Sequence, residues 1–124
     1  MDTLNVLILI FALHFIGDFI FQTREMAENK SKSIYWLTYH VFNYCLPFVP
    51  IAFLIGFDVQ YIEFLFVLFI THWLTDFFTS KATSYFWKNK KEKLFFSMIG
   101  FDQLIHTITL IEIYKYFIHP FVFI

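Results

Sequence analysis

The sequence predicts an all-α membrane protein: a bundle of four transmembrane helices forming a single integral membrane domain over residues 1–124. Three observations lead there. The chain is 59% hydrophobic and 24% aromatic, with 20 phenylalanines. A soluble domain of 124 residues cannot hide that much apolar surface, because small domains leave a large share of their area exposed. Four apolar runs, each near the ~20 residues that a helix needs to cross a bilayer, nearly exhaust the chain. Finally, every run carries a histidine, and the polar residues of the four runs fall at one depth.

The first span covers about 4–22 and ends in His14-Phe15-Ile16-Gly17-Asp18-Phe19-Ile20-Phe21-Gln22. On a helix His14, Asp18 and Gln22 lie four residues apart and make one polar stripe. Met1-Asp2-Thr3 lacks the positive stretch of a cleaved signal peptide, so this run is expected to stay as a transmembrane helix. Arg24, Glu25, Glu28, Lys30 and Lys32 form a polar connector. The second span covers about 33–55 and contains His40; Pro47 and Pro50 predict a kink in its second half. A tight turn is expected at Gly56-Phe57-Asp58-Val59-Gln60. The third span, about 61–79, carries His72 and Asp76 in an H-x3-D pair. Residues 80–93 read as a basic, aromatic connector lying at the lipid headgroups. The fourth span, about 94–118, carries Asp102, Gln103 and His106, the same spacing reversed.

Charge sets the orientation. Of nine Lys and Arg residues, only Lys115 lies away from the two basic connectors, at 24–32 and 81–93. The positive-inside rule makes those connectors cytoplasmic and puts both termini on the non-cytoplasmic side. The formal net charge of −1 gives no reason to expect nucleic acid, and the lysines at 88–93 read as a topology signal or an anchor to anionic lipid. A single cysteine, Cys45, excludes an intrachain disulfide and reads as an apolar filler. Glu112 and Lys115 are spaced for a local ion pair. His119 is expected at the outer surface, in water. No glycine-rich phosphate loop is present.

Depth follows from the helical rise of ~1.5 Å per residue. Counted from the nearest cytoplasmic basic residue, His14 lies ~15 Å in, His40 ~12 Å, and His72 and Asp102 ~14 Å. Four helices running in alternate directions therefore bring their polar residues to one level. Carboxylates inside a bilayer are costly, ~2.5–3.5 kcal/mol each on insertion scales, so Asp18, Asp76 and Asp102 need partners. Imidazole and carboxylate together are the ligand set of zinc, manganese or iron, and donors one turn apart are how helix bundles build metal sites. The alternatives are a polar network that locks the helices together and a path for protons or cations.

The order H-x2-G-D-x3-Q-x7-K (His14 to Lys30), a lone His40, H-x3-D (His72, Asp76) and D-Q-x2-H (Asp102 to His106) resembles the DUF3307 family, over nearly the whole chain. That resemblance implies a small membrane protein of bacteria or their phages, and hence a multi-pass protein of the bacterial inner (cytoplasmic) membrane. A lysine often follows the H-x3-D helix in that family, and Lys81 fills the place. The His-x3-Asp pairs on membrane helices are also similar to those of inner-membrane proteins labelled metal-dependent hydrolases.

The reading from the sequence is a membrane-embedded metal site in the cytoplasmic half, with hydrolysis of a membrane-associated phosphoester or lipid-like substrate as the leading function. His14, His40, His72, Asp102 and His106 are the expected metal ligands. Asp18 or Asp76 would act as general base or fix a ligand's tautomer, and Gln22 and Gln103 would orient ligand or substrate. A proton or cation conduit comes second, and a membrane anchor or regulator of a partner protein third. The lipid bilayer is the partner that composition demands, and a homo-oligomer is compatible with it.

Overall fold

A computed structural model of the chain describes residues 2–55 and 58–118, and every regular element among them is helical. Helix α1 spans Thr3–Phe15 and starts where the Asp2 carboxylate accepts the Asn5 amide at 2.8 Å, which satisfies one of the free donors of the first turn. It continues through a π-helical turn, Ile16–Ile20, closed by the Phe21 amide donating to the Ile16 carbonyl at 2.8 Å. Thr23 caps the short helix α2, Arg24–Asn29. Helix α3, Ile34–Cys45, gives way to a 3-10 turn, Leu46–Phe48, and then to the four-residue helix α4, Ala52–Ile55. Helix α5 runs from Val59 to Lys88 behind an Asp58 cap, and α6 from Glu92 to Phe117. Lys90, in the turn between them, has a φ of 55°.

Among the described residues three helices are long and apolar enough to cross a membrane, Thr3–Ile20, Val59–Lys88 and Glu92–Phe117. The expectation of four is corrected at residues 33–55. That segment traverses the bundle in pieces, because Pro47 and Pro50 have no amide to give to the helix ladder. From Leu46 onward the chain advances by i to i+3 turns: Val49 donates to Leu46 at 3.1 Å, Ala52 to Val49 at 3.0 Å and Phe53 to Pro50 at 3.1 Å. Helix α5 is longer than the expected third span. No glycine or proline interrupts residues 59–88, so the helix absorbs most of the connector anticipated at 80–93. The anticipated turn lies partly outside the described residues, at Gly56 and Phe57.

The four traversing segments run alternately up and down. At the end away from the basic connectors, Ile10, Tyr44, Phe48, Phe64, Leu68, Leu110 and Ile113 form an apolar core. The Tyr61 hydroxyl donates to the Phe48 carbonyl, an acceptor left over by the broken segment. The outer faces are apolar too. Leu4, Phe66 and Phe96 are each about two-thirds exposed, and the three long helices bury only 22, 28 and 11% of their spanning windows within the chain. Lipid is the solvent that suits such a surface.

One close approach fixes how α1 meets α3. A methyl group on Gly17 would run into the Tyr44 carbonyl oxygen and come within 2.9 Å of Tyr44 Cδ2. Only glycine lets the two backbones meet there, and this contact seats the neighbouring Asp18 against His40 of α3.

Candidate metal centre

Each of the four traversing segments delivers polar side chains to one level beneath the apolar core. His40 comes from α3, His72 and Asp76 from one face of α5, and Asp18 from the π-helical turn, a distortion that recurs at functional sites. These four are almost fully buried, at 0, 2, 1 and 4% exposure. Each offers one ligand atom to a common group. His40 Nε2 lies 3.2 Å from Asp18 Oδ1 and 3.2 Å from Asp76 Oδ2. His72 Nε2 lies 3.4 Å from Asp18 Oδ1, 3.6 Å from Asp76 Oδ2 and 3.4 Å from His40 Nε2. A tetrahedral ion with N and O ligands at ~2.0–2.1 Å separates those ligands by about 3.3 Å. Five of the six edges of that tetrahedron are thus present at 3.2–3.6 Å.

The imidazoles are held by stacking more than by hydrogen bonds. The His72 ring lies between Tyr44, at 3.7 Å between centroids, and His106, at 4.1 Å, nearly parallel to both. Nδ1 of His40 and Nδ1 of His72 have no hydrogen-bond partner. His14 is committed differently. Its Nε2 meets Gln103 Oε1 at 3.0 Å and its Nδ1 meets the Tyr44 hydroxyl at 2.9 Å. With that amide orientation Nε2 donates and Nδ1 accepts from tyrosine.

A second group adjoins the first through Asp18 and comprises Asp18, Asp102 and His106. His106 Nε2 lies 3.0 Å from Asp76 Oδ1 and 3.3 Å from Asp102 Oδ1. The Thr79 hydroxyl donates to Asp102 at 2.5 Å, and the Gln103 amide donates to Asp18 at 2.9 Å and to Asp102 at 3.1 Å.

Lys30 enters from the end of α2. Its ammonium bonds Asp76 Oδ2 at 2.9 Å with the side chain 17% exposed. Burial pulls its pKa down, but Asp76 and then Asp18 outweigh that, and the net result is raised. With neutral imidazoles, three carboxylates against one ammonium leave two negative charges in the cluster, the charge that one divalent ion offsets.

Beside the cluster, toward the basic connectors, lies an open cavity of about 560 Å³. Asp18, Asp102 and Gln103 line it on the cluster side, and Lys30, Lys32 and Lys88 also border it. Gln22 lines it too, apart from the hydrogen-bonded cluster, because the helix ends before it is reached.

The structure therefore assembles His14, Asp18, His40, His72, Asp76, Asp102, Gln103 and His106, and leaves Gln22 at the cavity. Asp18 and Asp76 sit among the four closest donors, whereas His14 belongs to neither donor group. Lys30, Tyr44 and Thr79 were not anticipated as members. Thr79 was within reach of the sequence, since it follows His72 and Asp76 at i+7 and i+3 on one helix face. The expected Glu112–Lys115 ion pair forms at 2.7 Å. His119 lies outside the described residues. Comparison with curated proteins and with solved structures returns no match. A family model described as a protein of unknown function, DUF3307, matches residues 6–122, nearly the whole chain, and the protein belongs to that family.

Proposed function

We propose that this chain is a membrane-embedded metal-binding protein, and that it works as a metal-dependent hydrolase on a membrane-associated phosphoester or lipid-like substrate at the cytoplasmic side of a bacterial inner membrane. The observation that carries the proposal is the donor tetrahedron of Asp18, His40, His72 and Asp76, with edges of 3.2–3.6 Å. Two imidazoles and two carboxylates suit zinc, manganese or iron. A divalent ion supplies an acidified water and polarises a phosphoryl oxygen. The chain's own groups do the rest. Lys30 supplies a fixed positive charge beside Asp76, Gln103 ties Asp18 to Asp102, and the cavity gives access from the headgroup side.

The test is elemental analysis of protein purified without added metal and again after rebinding. One or two equivalents of a transition metal per chain are expected, lost in His40→Gln and Asp76→Asn. Protein that neither retains nor rebinds zinc, manganese or iron would falsify the reading.

The runner-up is a proton or cation conduit. A hydrogen-bonded chain from Tyr44 through His14 and Gln103 to Asp102 and Thr79 favours it over that length. Beyond the cluster the buried core is mainly apolar, built on Phe48, Phe64, Leu68 and Leu110, which argues against a continuous path within one chain. Flux in liposomes that is abolished by Asp102→Asn would reverse the ranking.

A further inference from the structure

The two donor groups share Asp18 but differ in access. His40, His72 and Asp76 are buried to 0–2% exposure, and none of them lines the cavity. Asp18 and Asp102 do line it. Metal sites that serve structure are closed by four protein ligands, whereas catalytic sites keep three and an open position. We infer that the chain binds two divalent cations bridged by Asp18: a closed inner one on Asp18, His40, His72 and Asp76, and an outer one on Asp18, Asp102 and His106 whose open position faces the cavity and takes a phosphate ester. This rests on the metal reading above and assigns the substrate to the outer ion.

Three features support the division. Asp18 turns Oδ1 toward His40 and His72 and Oδ2 toward Gln103, as a bridging carboxylate must. The groups around the outer position can also adapt. Turning the Gln103 amide over presents its oxygen to Asp18 and Asp102 instead of its nitrogen, and His14 between Gln103 and the Tyr44 hydroxyl accepts either orientation by changing tautomer. The third feature is charge. One divalent ion neutralises the cluster, so a second leaves two positive charges, which an anionic ligand offsets. The cavity is furnished for that ligand. Lys30, Lys32 and Lys88 border it, and Trp87, Phe95 and Ile99 give it an apolar wall. Ser80 and Gln22 line it as well, and Ser80 Oγ and Gln22 Oε1 are buried without a hydrogen-bond partner. Ser80 is itself 7% exposed. A phosphoryl group meeting the outer ion, with hydroxyls reaching Ser80 and Gln22 and an apolar chain along Trp87, fits this lining.

The test is manganese titration of the full chain in detergent after stripping with chelator, with and without inorganic phosphate. The expected result is one tight and one weaker equivalent, the weaker tightened at least about tenfold by phosphate, a coupling of ordinary size. Asp102→Asn should keep the tight equivalent and lose the other, and so should His106→Asn. Electron paramagnetic resonance of the saturated wild type, which needs no variant, should show a spin-coupled manganese pair. A single uncoupled ion at saturation with phosphate present overturns the inference and leaves the metal reading standing. No bound metal overturns both. Bicelles containing phosphatidic acid replace phosphate in a parallel arm. Stronger tightening by the lipid assigns the site to a headgroup, and stronger tightening by phosphate assigns it to a soluble ester. Tightening by neither overturns the assignment of an anionic substrate.

Discussion

Removing Lys30 and removing Asp76 should not be equivalent, although they are partners in one ion pair. The pair is 2.9 Å long, with side-chain exposures of 17 and 1%. Breaking a buried pair from one side costs ~3–5 kcal/mol, because the remaining charge is stranded. In Lys30→Met the stranded group is Asp76, which cannot reach water but keeps His106 at 3.0 Å and His40 at 3.2 Å. The loss is therefore placed at the low end, about 3 kcal/mol. In Asp76→Asn the stranded group is Lys30, whose flexible stem lets the ammonium withdraw along the cavity toward the headgroups. That loss should be near the ~1 kcal/mol of an ordinary hydrogen bond. A divalent ion should reverse the order, because what it adds exceeds the ~2 kcal/mol by which Lys30→Met trails Asp76→Asn in chelator. At about a hundred times its dissociation constant it adds ~2.7 kcal/mol to whichever form binds it, and Lys30→Met keeps all four donors while losing a competing cation. The assay is reversible unfolding in mixed micelles, with chelator and then with manganese or zinc. Two results in chelator refute the reasoning: Lys30→Met within about 0.5 kcal/mol of wild type, the range of an ordinary surface change, or Asp76→Asn costing as much as Lys30→Met.

Gly17→Ala should destabilise the fold by about 1–3 kcal/mol, as overpacking does, because the added methyl meets Tyr44 backbone; the same unfolding assay measures it, and metal content should fall with it as Asp18 is pushed off α3. The Lys30 pKa is raised from its usual 10.5, so its contribution is complete below about pH 10.5 and is lost as pH climbs through the raised value; unfolding midpoints at rising alkaline pH should fall more steeply in wild type than in Lys30→Met. A cysteine replacing Lys90, in a Cys45→Ser background, should react with an impermeant maleimide from the cytoplasmic face alone; labelling from the other face would invert the orientation without disturbing the cluster.

Much of the site was legible because helix geometry is periodic. Spacing alone paired His72 with Asp76 and Asp102 with His106, and counting inward from the basic residues put all four segments at one depth. The failures have physical causes. Pro47 and Pro50 announced a bend, but how far the helix would unwind depends on what receives the released carbonyls, and Tyr61 comes from another segment. Gln22 follows His14 and Asp18 at helical spacing, yet a π-helical turn and the end of the helix intervene. Lys30 closes the H-x2-G-D-x3-Q-x7-K order and also counts among the basic residues of the connector, yet its spacing does not report that α2 aims it inward at Asp76. The role of His14 depends on the Tyr44 hydroxyl and the Gln103 amide, both distant in sequence.

The fold treats the two ends of the bundle differently, and this bears on what the cluster is for. Above it, polar backbone released by the broken segment could line a water-filled path. Instead the Phe48 carbonyl is taken by Tyr61, and Phe48 and Phe64 pack beside it. Below it, hydroxyl groups of α5, Lys30 and the connectors border open volume that reaches Asp18 and Asp102. Buried carboxylates in a membrane protein are tolerated where cations balance them or water reaches them, and here both provisions lie on the same side. A conduit needs two mouths. A site that draws an anionic ester from the headgroup layer, holds it against fixed cations and returns it to the same layer needs only one, and the cavity bordered by Lys30, Lys32 and Lys88 lies on the side of the basic connectors.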